Sequence, residues 1–184
     1  MAKGWLKIPG VQDGDRTLAQ QILALQPAIA KCRGKTVLDL GCAEGLIGRE
    51  FAKAGAATVV GIEREGNYVS MARAMCLGYR VSIKHADVKD LDPEFPMPHD
   101  IVLALGIIHK LEHPEMGLRF AARSARELLL LRSGRGSVNG IIRGKFSRNE
   151  CDSAKLMTEE GFVLERVIEG PPELKEPCEY WRRP

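Results

Sequence analysis

The sequence predicts an α/β fold in which helices cover both faces of a mostly parallel sheet. Short apolar and β-branched segments alternate with segments of helical periodicity, an order that is typical of βαβ units. A loop with two glycines follows the first strand of this series, and acidic residues end the next two. The chain has 184 residues, of which 45% are hydrophobic and 28% are charged. We therefore expect one domain over residues 1–184, with a ligand crevice at the carboxyl ends of the strands.

The N-terminal part is expected to be helical. Leu18, Ile22 and Leu25 recur at helical spacing and predict a helix over Arg16–Ala24, which Asp15 caps and Pro27 interrupts. We divide the domain into an N-terminal helical lid segment, residues 1–31, and a core, residues 32–184. Within the lid segment, residues 13–17 are the ones expected to lie across the mouth of a ligand site.

The core alternates between strands and helices. Predicted strands are Thr36–Leu40, Thr58–Glu63, Val81–Ala86, Asp100–Leu105, Ser137–Arg143, Phe162–Ile168 and Glu179–Arg182. Predicted helices are Gly45–Lys53, Asn67–Leu77, Glu115–Leu130 and Glu150–Glu160. The second of these helices is expected to bury Tyr68, Met71, Met75 and Tyr79.

The loop after the first core strand is the richest signal in the chain. It reads Asp39-Leu-Gly-Cys-Ala-Glu-Gly45. Gly41 lets the backbone turn away from the strand, and Gly45 lets a ligand lie close to the main chain. A dinucleotide fingerprint would require glycines where Ala43 and Leu46 stand. The loop also lacks the Lys-Ser/Thr ending of a P-loop, so both of these nucleotide sites are disfavoured.

An acid follows at the end of the next strand. Glu63 lies 22 residues after Gly41. A carboxylate at this position can accept hydrogen bonds from both hydroxyls of a ribose, as in dinucleotide folds. The alternative is an ordinary ion pair between Glu63 and Arg64 or another surface charge.

The pattern Asp39-x-Gly-x-Ala-x-Gly45 resembles the first motif of class I methyltransferases that depend on S-adenosylmethionine. The resemblance covers residues 36 to 114 well and the remainder by element order. It implies S-adenosylmethionine as cofactor and a three-layer αβα Rossmann-like, doubly wound sheet of about seven strands, the last antiparallel. The cofactor-binding residues implied are Asp39, Gly41, Cys42, Ala43, Gly45, Leu46, Glu63, Arg64, Asp87, Val88 and Leu105.

The resemblance also implies roles for these residues. In the family, main-chain groups of the loop bind the amino acid end of the cofactor, and an acid such as Asp39 satisfies its ammonium group. Asp87 would accept the exocyclic amine of adenine, while the backbone N–H of Val88 meets the ring. The alternative for Asp87 is a turn cap, because further acids follow closely. Cys42 is expected to be a wall residue rather than a reactive thiol.

The segment after the fourth strand should determine the chemistry. It lacks the Asn/Asp-Pro-Pro-aromatic and Pro-Cys motifs of nucleic-acid base methylators, and Leu105 stands where ribose methylators carry an Asp. Ile108-His-Lys-Leu-Glu-His-Pro114 is instead similar to the His-x-Leu-Glu-His segment of methyltransferases that act on small molecules. His109 or His113 could act as a general base. The alternatives are that His113 caps the next helix and that His109 packs under the cofactor.

Two other functions remain open. One is RNA or DNA methylation through the basic region 119–148, where Arg119, Arg123 and Arg126 would share one helix face. The basic residues of this region are Arg119, Arg123, Arg126, Arg132, Arg135, Arg143, Lys145 and Arg148. The scarcity of aromatic residues, 5% of the chain, favours a solvated face instead. The other function is a non-catalytic module that binds S-adenosylmethionine.

Composition and charge disfavour several other classes of protein. The formal charge is +3, from 27 basic and 24 acidic residues, which is too small to indicate a polyanionic partner. No apolar run approaches the roughly 20 residues of a membrane span, and the N-terminus lacks the features of a signal peptide. Five widely spaced cysteines indicate neither a zinc site nor a disulfide framework. We expect a cytoplasmic protein that binds no metal or membrane; its oligomeric state and its methyl acceptor are left open.

Overall fold

The computed structural model describes residues 4–133, 141–143, 149–172 and 176–184. Its strands are β1 (Gly4–Leu6), β2 (Gly14–Arg16), β3 (Thr36–Leu40), β4 (Thr58–Glu63), β5 (Val81–His85), β6 (His99–Leu105), β7 (Ala125–Arg132), β8 (Ile141–Arg143), β9 (Glu150–Asp152), β10 (Val163–Ile168) and β11 (Cys178–Arg182). Its α-helices are α1 (Leu18–Ile22), α2 (Gln26–Ala30), α3 (Leu46–Lys53), α4 (Gly66–Met75), α5 (Pro114–Ser124) and α6 (Ser153–Glu159). Short 3-10 helices lie at Leu23–Leu25, Val88–Asp90 and Ile108–Lys110.

Seven of the described strands form one sheet in the order β10-β11-β7-β6-β3-β4-β5. β11 runs antiparallel to both of its neighbours, β10 and β7, and the central strands are parallel. The chain winds from β3 towards β5 on one side and from β6 towards β7 on the other. The predicted doubly wound fold is confirmed. Its direction reverses between β3 and β6, which is where such folds form a ligand crevice.

The central strands are apolar because both of their faces are covered. In β3, Leu38 and Leu40 pack into the cluster on one face of the sheet, while Val37 packs with Phe51 of α3 on the other. Asp39 lies on the same face as Val37 and is only 3% exposed. A carboxylate at such a position is costly unless something binds it.

The largest difference from the sequence prediction lies at α5. This helix ends at Ser124, and the chain turns directly into β7, so the predicted helix to Leu130 was wrong from Ala125 onward. Leu129, Leu130 and Leu131 are fully buried between β6 and β11. Arg126 consequently lies on a strand and does not share a helix face with the arginines of α5.

The ends of the chain also differ from prediction. Residues 4–6 and 14–16 pair as two short parallel strands. Thr17, rather than Asp15, caps α1 in a reciprocal arrangement with Gln20. Pro27 lies in the first turn of α2 instead of ending the first helix, because a proline near a helix start loses no hydrogen bond.

The segment before β10 contains a separate small sheet. β8 and β9 pair antiparallel there, so the predicted strand at Ser137–Arg143 is observed only over β8; residues 137–140 lie outside the described residues. The predicted helix from Glu150 starts at Ser153, where the side chain of Asp152 accepts from the N–H of Lys155.

Helix α4 buries a different face from the one expected. Val69 and Ala72 are the buried residues of the helix. Tyr79 is exposed, Met71 and Met75 are only partly buried, and Tyr68 is partly buried. The small residues face the sheet because they allow the helix to approach the loop after β3 closely.

Candidate functional site

A cavity of about 400 Å³ opens at the carboxyl ends of β3, β4, β5 and β6. It brings together seven residues predicted to bind a cofactor: Gly41, Ala43, Glu63, Arg64, Asp87, Val88 and Leu105. Trp5, Tyr68 and Lys110 line it as well, and sequence reasoning missed all three. We call it the large cavity.

The loop after β3 has an unusual backbone. Gly41 has φ of +72°, and a Cβ placed on it would lie 3.0 Å from the Ile107 side chain. Ala43 has φ of 46°, a conformation that a residue with a side chain rarely adopts. The N–H of Ala43 donates to Oε2 of Glu63 at 2.9 Å. This strand-end carboxylate therefore helps to hold the loop in its strained form.

Glu63 is satisfied by the backbone and not by a neighbouring cation. It is 7% exposed, and its Oε1 accepts from the N–H groups of Arg64 and Glu65, both at 2.9 Å. The Arg64 guanidinium turns to Glu65 at 3.0 Å and lies 3.8 Å from Asp87. Glu63 is thus a rigid acceptor on the cavity wall.

Asp87 caps a turn and also lines the large cavity. Its Oδ1 accepts from the N–H of Lys89 at 3.0 Å and so caps the 3-10 helix Val88–Asp90. The same residue lines the large cavity beside Val88. The hydrogen bond from Lys89 fixes the Asp87 carboxylate, which makes the edge of the cavity polar at this position.

A second, much smaller cavity of about 20 Å³ lies behind the loop. Asp39, Gln21 and Glu44 line it, and all three are buried. Oδ2 of Asp39, Nε2 of Gln21 and Oε2 of Glu44 have no hydrogen-bond partner among the residues that the structure describes. Burial, reinforced by the nearby charge of Glu63, raises the pKa of Asp39 to about 7. We call this the small cavity.

The other loop residues surround the small cavity or support it. Cys42 and Leu46 line it. The Cys42 Sγ would lie 2.7 Å from a Cβ on Gly61, and burial raises the pKa of this thiol far above its ordinary value. Cys42 is therefore an inert wall residue. Gly45 lines neither cavity; a Cβ there would meet Cys76 at 3.0 Å.

The two candidate histidines are separated. The ring of His109 lies beside Gly106, because a Cβ on that glycine would be 3.9 Å from both His109 Cε1 and Trp5 Cη2. Gly106 lines the large cavity. His113 is exposed, lies 3.1 Å from the Asn149 amide through Nδ1, and borders a different cavity. His109 thus lies next to a wall residue of the large cavity without lining the cavity itself. A capping hydrogen bond from the His113 side chain to α5 is not observed in this described region.

The N-terminal segment reaches the site with its first strand. Gly4 and Trp5 line the large cavity, whereas the residues expected there, 13–17, do not. The Trp5 ring lies between two cations: Arg16 at 4.4 Å and Lys110 at 4.8 Å from the ring centroid. We call residues 4–16 the N-terminal strap. It connects the loop after β3 to the segment after β6.

Two arginines of the basic region, Arg119 and Arg123, form ion pairs with acidic neighbours. Arg119 forms ion pairs with Glu115 at 2.9 Å and Glu160 at 2.7 Å. Arg123 pairs with Glu160 and also contacts Glu94. Arg135, Lys145 and Arg148 lie outside the described residues. The two helical arginines therefore belong to a surface ion-pair network, which leaves them less suited to binding phosphates.

The described ranges contain no group of three or more His, Cys, Asp or Glu that could hold a metal ion. In the same ranges, each helix is too short or too polar to cross a membrane.

Comparison with known sequences identifies a family. Residues 37–128, half of the chain, match the model of a family described as a methyltransferase domain. Over 104 residues the chain is 30% identical to the ubiquinone biosynthesis O-methyltransferase of Bordetella pertussis, with 55% of this chain and 43% of that protein covered. Over 99 residues it is 30% identical to the protein of the same name from Pseudomonas syringae, with 53% and 42% covered. The chain thus spans less than half the length of these curated relatives.

Solved structures share the fold. The magnesium protoporphyrin IX methyltransferase of Synechocystis, solved with bound S-adenosylhomocysteine, has a TM-score of 0.70 and 20% identity over 90% of this chain and 83% of that one. An S-adenosylmethionine-dependent methyltransferase from Mesorhizobium loti has a TM-score of 0.65 and 18% identity over 89% of this chain and 100% of that one. At these identities the likeness concerns the fold.

Proposed function

Because the chain belongs to the methyltransferase-domain family, we propose that it transfers the methyl group of S-adenosylmethionine to a small-molecule acceptor. One observation carries the proposal. The large cavity unites the loop after β3 with Glu63 and Asp87, two fixed acceptors at successive strand ends. Such an arrangement suits a nucleoside joined to an amino acid.

The residues of the site fit this cofactor at both ends. Glu63 can accept from ribose hydroxyls, and Asp87 with Val88 borders the place for adenine. Gly41 and Ala43 form the adjoining part of the cavity wall. Behind them, Oδ2 of Asp39 is buried without a partner in the described part of the chain. A buried, unpartnered carboxylate oxygen is what an ammonium group requires.

When bound, S-adenosylmethionine supplies an electrophilic methyl group on its sulfonium. The chain must hold the acceptor in line with that methyl group, exclude water and take up a proton from the acceptor. Trp5, Tyr68 and Ile107 supply apolar and aromatic surface on the cavity wall, which excludes water and suits a small planar acceptor.

We assign the proton acceptor to His109. Its ring lies beside Gly106, which lines the large cavity, whereas His113 borders another cavity. As the acceptor oxygen forms its bond to the methyl carbon, its O–H proton passes to a ring nitrogen of His109. The electron pair of the broken carbon–sulfur bond stays with sulfur.

A small acceptor is favoured over a nucleic acid for two reasons. The N-terminal strap lies along the large cavity and narrows the approach to it. Arg119 and Arg123 are held by acidic neighbours, so this face offers little positive charge to a phosphate backbone. The small-molecule relatives are in line with this choice.

The cofactor is tested by titration calorimetry with S-adenosylmethionine, S-adenosylhomocysteine, NAD and ATP. We expect the first two to bind and the others to bind at least about tenfold more weakly, since the loop lacks the phosphate-binding glycines. Tighter binding of NAD would contradict the proposal.

Turnover is tested by a screen of phenolic and carboxylic metabolites, transfer RNA and protein for S-adenosylhomocysteine formation. Once an acceptor is found, His109→Ala should lower kcat by about 10²- to 10⁴-fold with cofactor affinity nearly unchanged. His113→Ala is the matched control and should retain activity. Equal losses in both variants would refute the assignment to His109. Cofactor binding without turnover on any acceptor class would instead indicate a non-catalytic module.

A further inference from the structure

The small cavity contains two buried polar side chains that the proposed function does not use. We propose that Glu44 is a second acceptor, beside Asp39, for the ammonium group of the cofactor, and that the same carboxylate fastens the N-terminal strap over that end of the site. This inference rests on the proposed function and extends it to the contacts of the amino acid end.

The two oxygens of Glu44 have different surroundings. Oε1 accepts from the N–H groups of Trp5 and Leu6, both at 3.0 Å, and from the side-chain amide of Gln12. Oε2 is buried in the small cavity and has no partner among the residues described. The side chain is fully buried. One oxygen therefore holds the strap, and the other remains for a ligand.

The remaining polar groups of the small cavity complement an amino acid. Oδ2 of Asp39 is a second acceptor, and Nε2 of Gln21 is a donor; neither has a partner in the described ranges. The Gln21 amide is oriented by Arg132, whose guanidinium donates to Oε1 at 2.6 Å. The amide N–H₂ is thereby left for the cavity. Two acceptors and one donor match an ammonium group with a carboxylate nearby.

The size and the charge of the small cavity favour an ammonium group. Its volume of about 20 Å³ holds one group the size of water or of an ammonium. Asp39 and Glu44 line it, and Glu63 is near enough to raise the pKa of Asp39. Burial, together with the charges of Asp39 and Glu63, also raises the pKa of the Cys42 thiol on the loop. Such a negative, buried site stabilises a cation more than a neutral water.

The small cavity adjoins the large one. Trp5, Gly41, Ala43 and Leu105 line both. A ligand whose nucleoside lies in the large cavity can therefore place its ammonium group in the small one. Since Glu44 binds the strap and the ligand with the same carboxylate, each should stabilise the other.

The experiment compares two ligands by calorimetry. S-adenosylhomocysteine carries the amino acid end, whereas 5′-methylthioadenosine has the same nucleoside and lacks that end. Glu44→Gln keeps the shape and an oxygen for the strap but removes the carboxylate. We expect it to weaken S-adenosylhomocysteine binding by about 10- to 100-fold and to leave 5′-methylthioadenosine binding unchanged. Glu169→Gln, which removes an exposed charge outside both cavities, should bind both ligands as the wild type does.

The outcomes separate the two proposals. Wild-type protein that binds neither ligand would overturn the proposed function. Wild-type binding with equal affinities for Glu44→Gln and Glu169→Gln would overturn the role of Glu44 alone.

The coupling between the strap and the ligand can also be measured on the wild-type protein, so this test does not require a variant to fold. Hydrogen exchange at the amides of Trp5 and Leu6 should slow when S-adenosylhomocysteine binds, because their common acceptor, Glu44, is then fixed. 5′-Methylthioadenosine should slow these amides less. Equal protection by the two ligands would contradict the coupling between the strap and the amino acid end.

Discussion

The two ends of the site differ in how their buried carboxylates are satisfied. At the nucleoside end, Glu63 accepts from three backbone N–H groups, and Asp87 accepts from a fourth. At the amino acid end, Asp39 and Glu44 each bury an oxygen that lacks a partner in the part of the chain described. One end is complete in the free protein, and the other requires a ligand.

This difference predicts separate contributions to binding. Acceptors fixed by backbone N–H groups orient a nucleoside and cost little when the site is empty. Buried oxygens without partners destabilise the free protein, and a ligand cation removes that cost when it binds. Selectivity for the intact cofactor should therefore arise mainly at Asp39 and Glu44, and sensitivity to pH at Asp39.

The largest expected effect is that of Asp39→Asn. Burial raises the pKa of Asp39 from 3.8 to about 7, so the folded protein holds this proton more tightly than the unfolded chain does. The stability associated with the protonated form is present below pH 4 and is lost as the pH rises to about 7. The variant should therefore increase the free energy of unfolding of the ligand-free protein at pH 8, by up to about 4 kcal/mol.

The same variant should weaken S-adenosylhomocysteine binding by about 10- to 100-fold, because a neutral amide replaces the carboxylate. Urea unfolding at pH 4 and pH 8, together with calorimetry, measures both effects. At pH 4 the wild type and the variant should be similarly stable. A variant that is less stable than the wild type at pH 8 would refute the electrostatic cost assigned to Asp39.

A smaller effect is expected at the nucleoside end. Glu63→Ala removes the proposed ribose acceptor and one hydrogen bond to the loop, so it should weaken binding by about 1–3 kcal/mol. Unlike Glu44→Gln, it should affect S-adenosylhomocysteine and 5′-methylthioadenosine alike. Calorimetry with both ligands measures the ratio of their dissociation constants in the wild type and in the variant. A loss of affinity for S-adenosylhomocysteine alone would indicate that Glu63 contacts the amino acid end and not the ribose, and would contradict this prediction.

The smallest effect is expected outside the site. Replacing Arg119, Arg123 and Arg126 by Gln removes the surface ion pairs of Arg119 and Arg123 and should change stability only slightly, because exposed ion pairs contribute little. Cofactor binding at both ends should be unaffected. Salt-dependent binding of transfer RNA that disappears in this variant would show that the acceptor is a nucleic acid. The difference between the nucleoside end and the amino acid end of the site would not be affected by that result.

The fold around β3, β4, β5 and β6 could be predicted from local patterns. β3 and β6 are each followed by a glycine, β4 ends at an acid, and an acid lies two residues after β5; β3 and β4 have the predicted bounds. β7 could not be predicted in this way. A run of four leucines, residues 128–131, is compatible with a buried helix or a buried strand. The choice depends on β6 and β11, which pair with it from distant parts of the chain.

The site residues also fall into those that local sequence patterns predict and those that only tertiary packing brings together. Gly41 was predicted from the loop pattern, Glu63 from its spacing after that loop, and Asp87 from the resemblance to class I methyltransferases; all three line one cavity. Gln21 and Trp5 carry no local signal, since only tertiary packing brings the N-terminal residues to the loop. Glu44 did carry a local signal, because an acidic residue is unexpected inside a loop that packs against a sheet.

The central claim, that the amino acid end is incomplete until an ammonium group arrives, is tested most directly by counting protons on binding. Because the pKa of Asp39 is about 7 in the free protein, S-adenosylhomocysteine should release about half a proton at pH 7 and almost none at pH 9. Calorimetry in buffers of different ionisation enthalpy measures this number. The account predicts no release with 5′-methylthioadenosine or with Asp39→Asn. Equal proton release by the two ligands, or none with S-adenosylhomocysteine at pH 7, would contradict it.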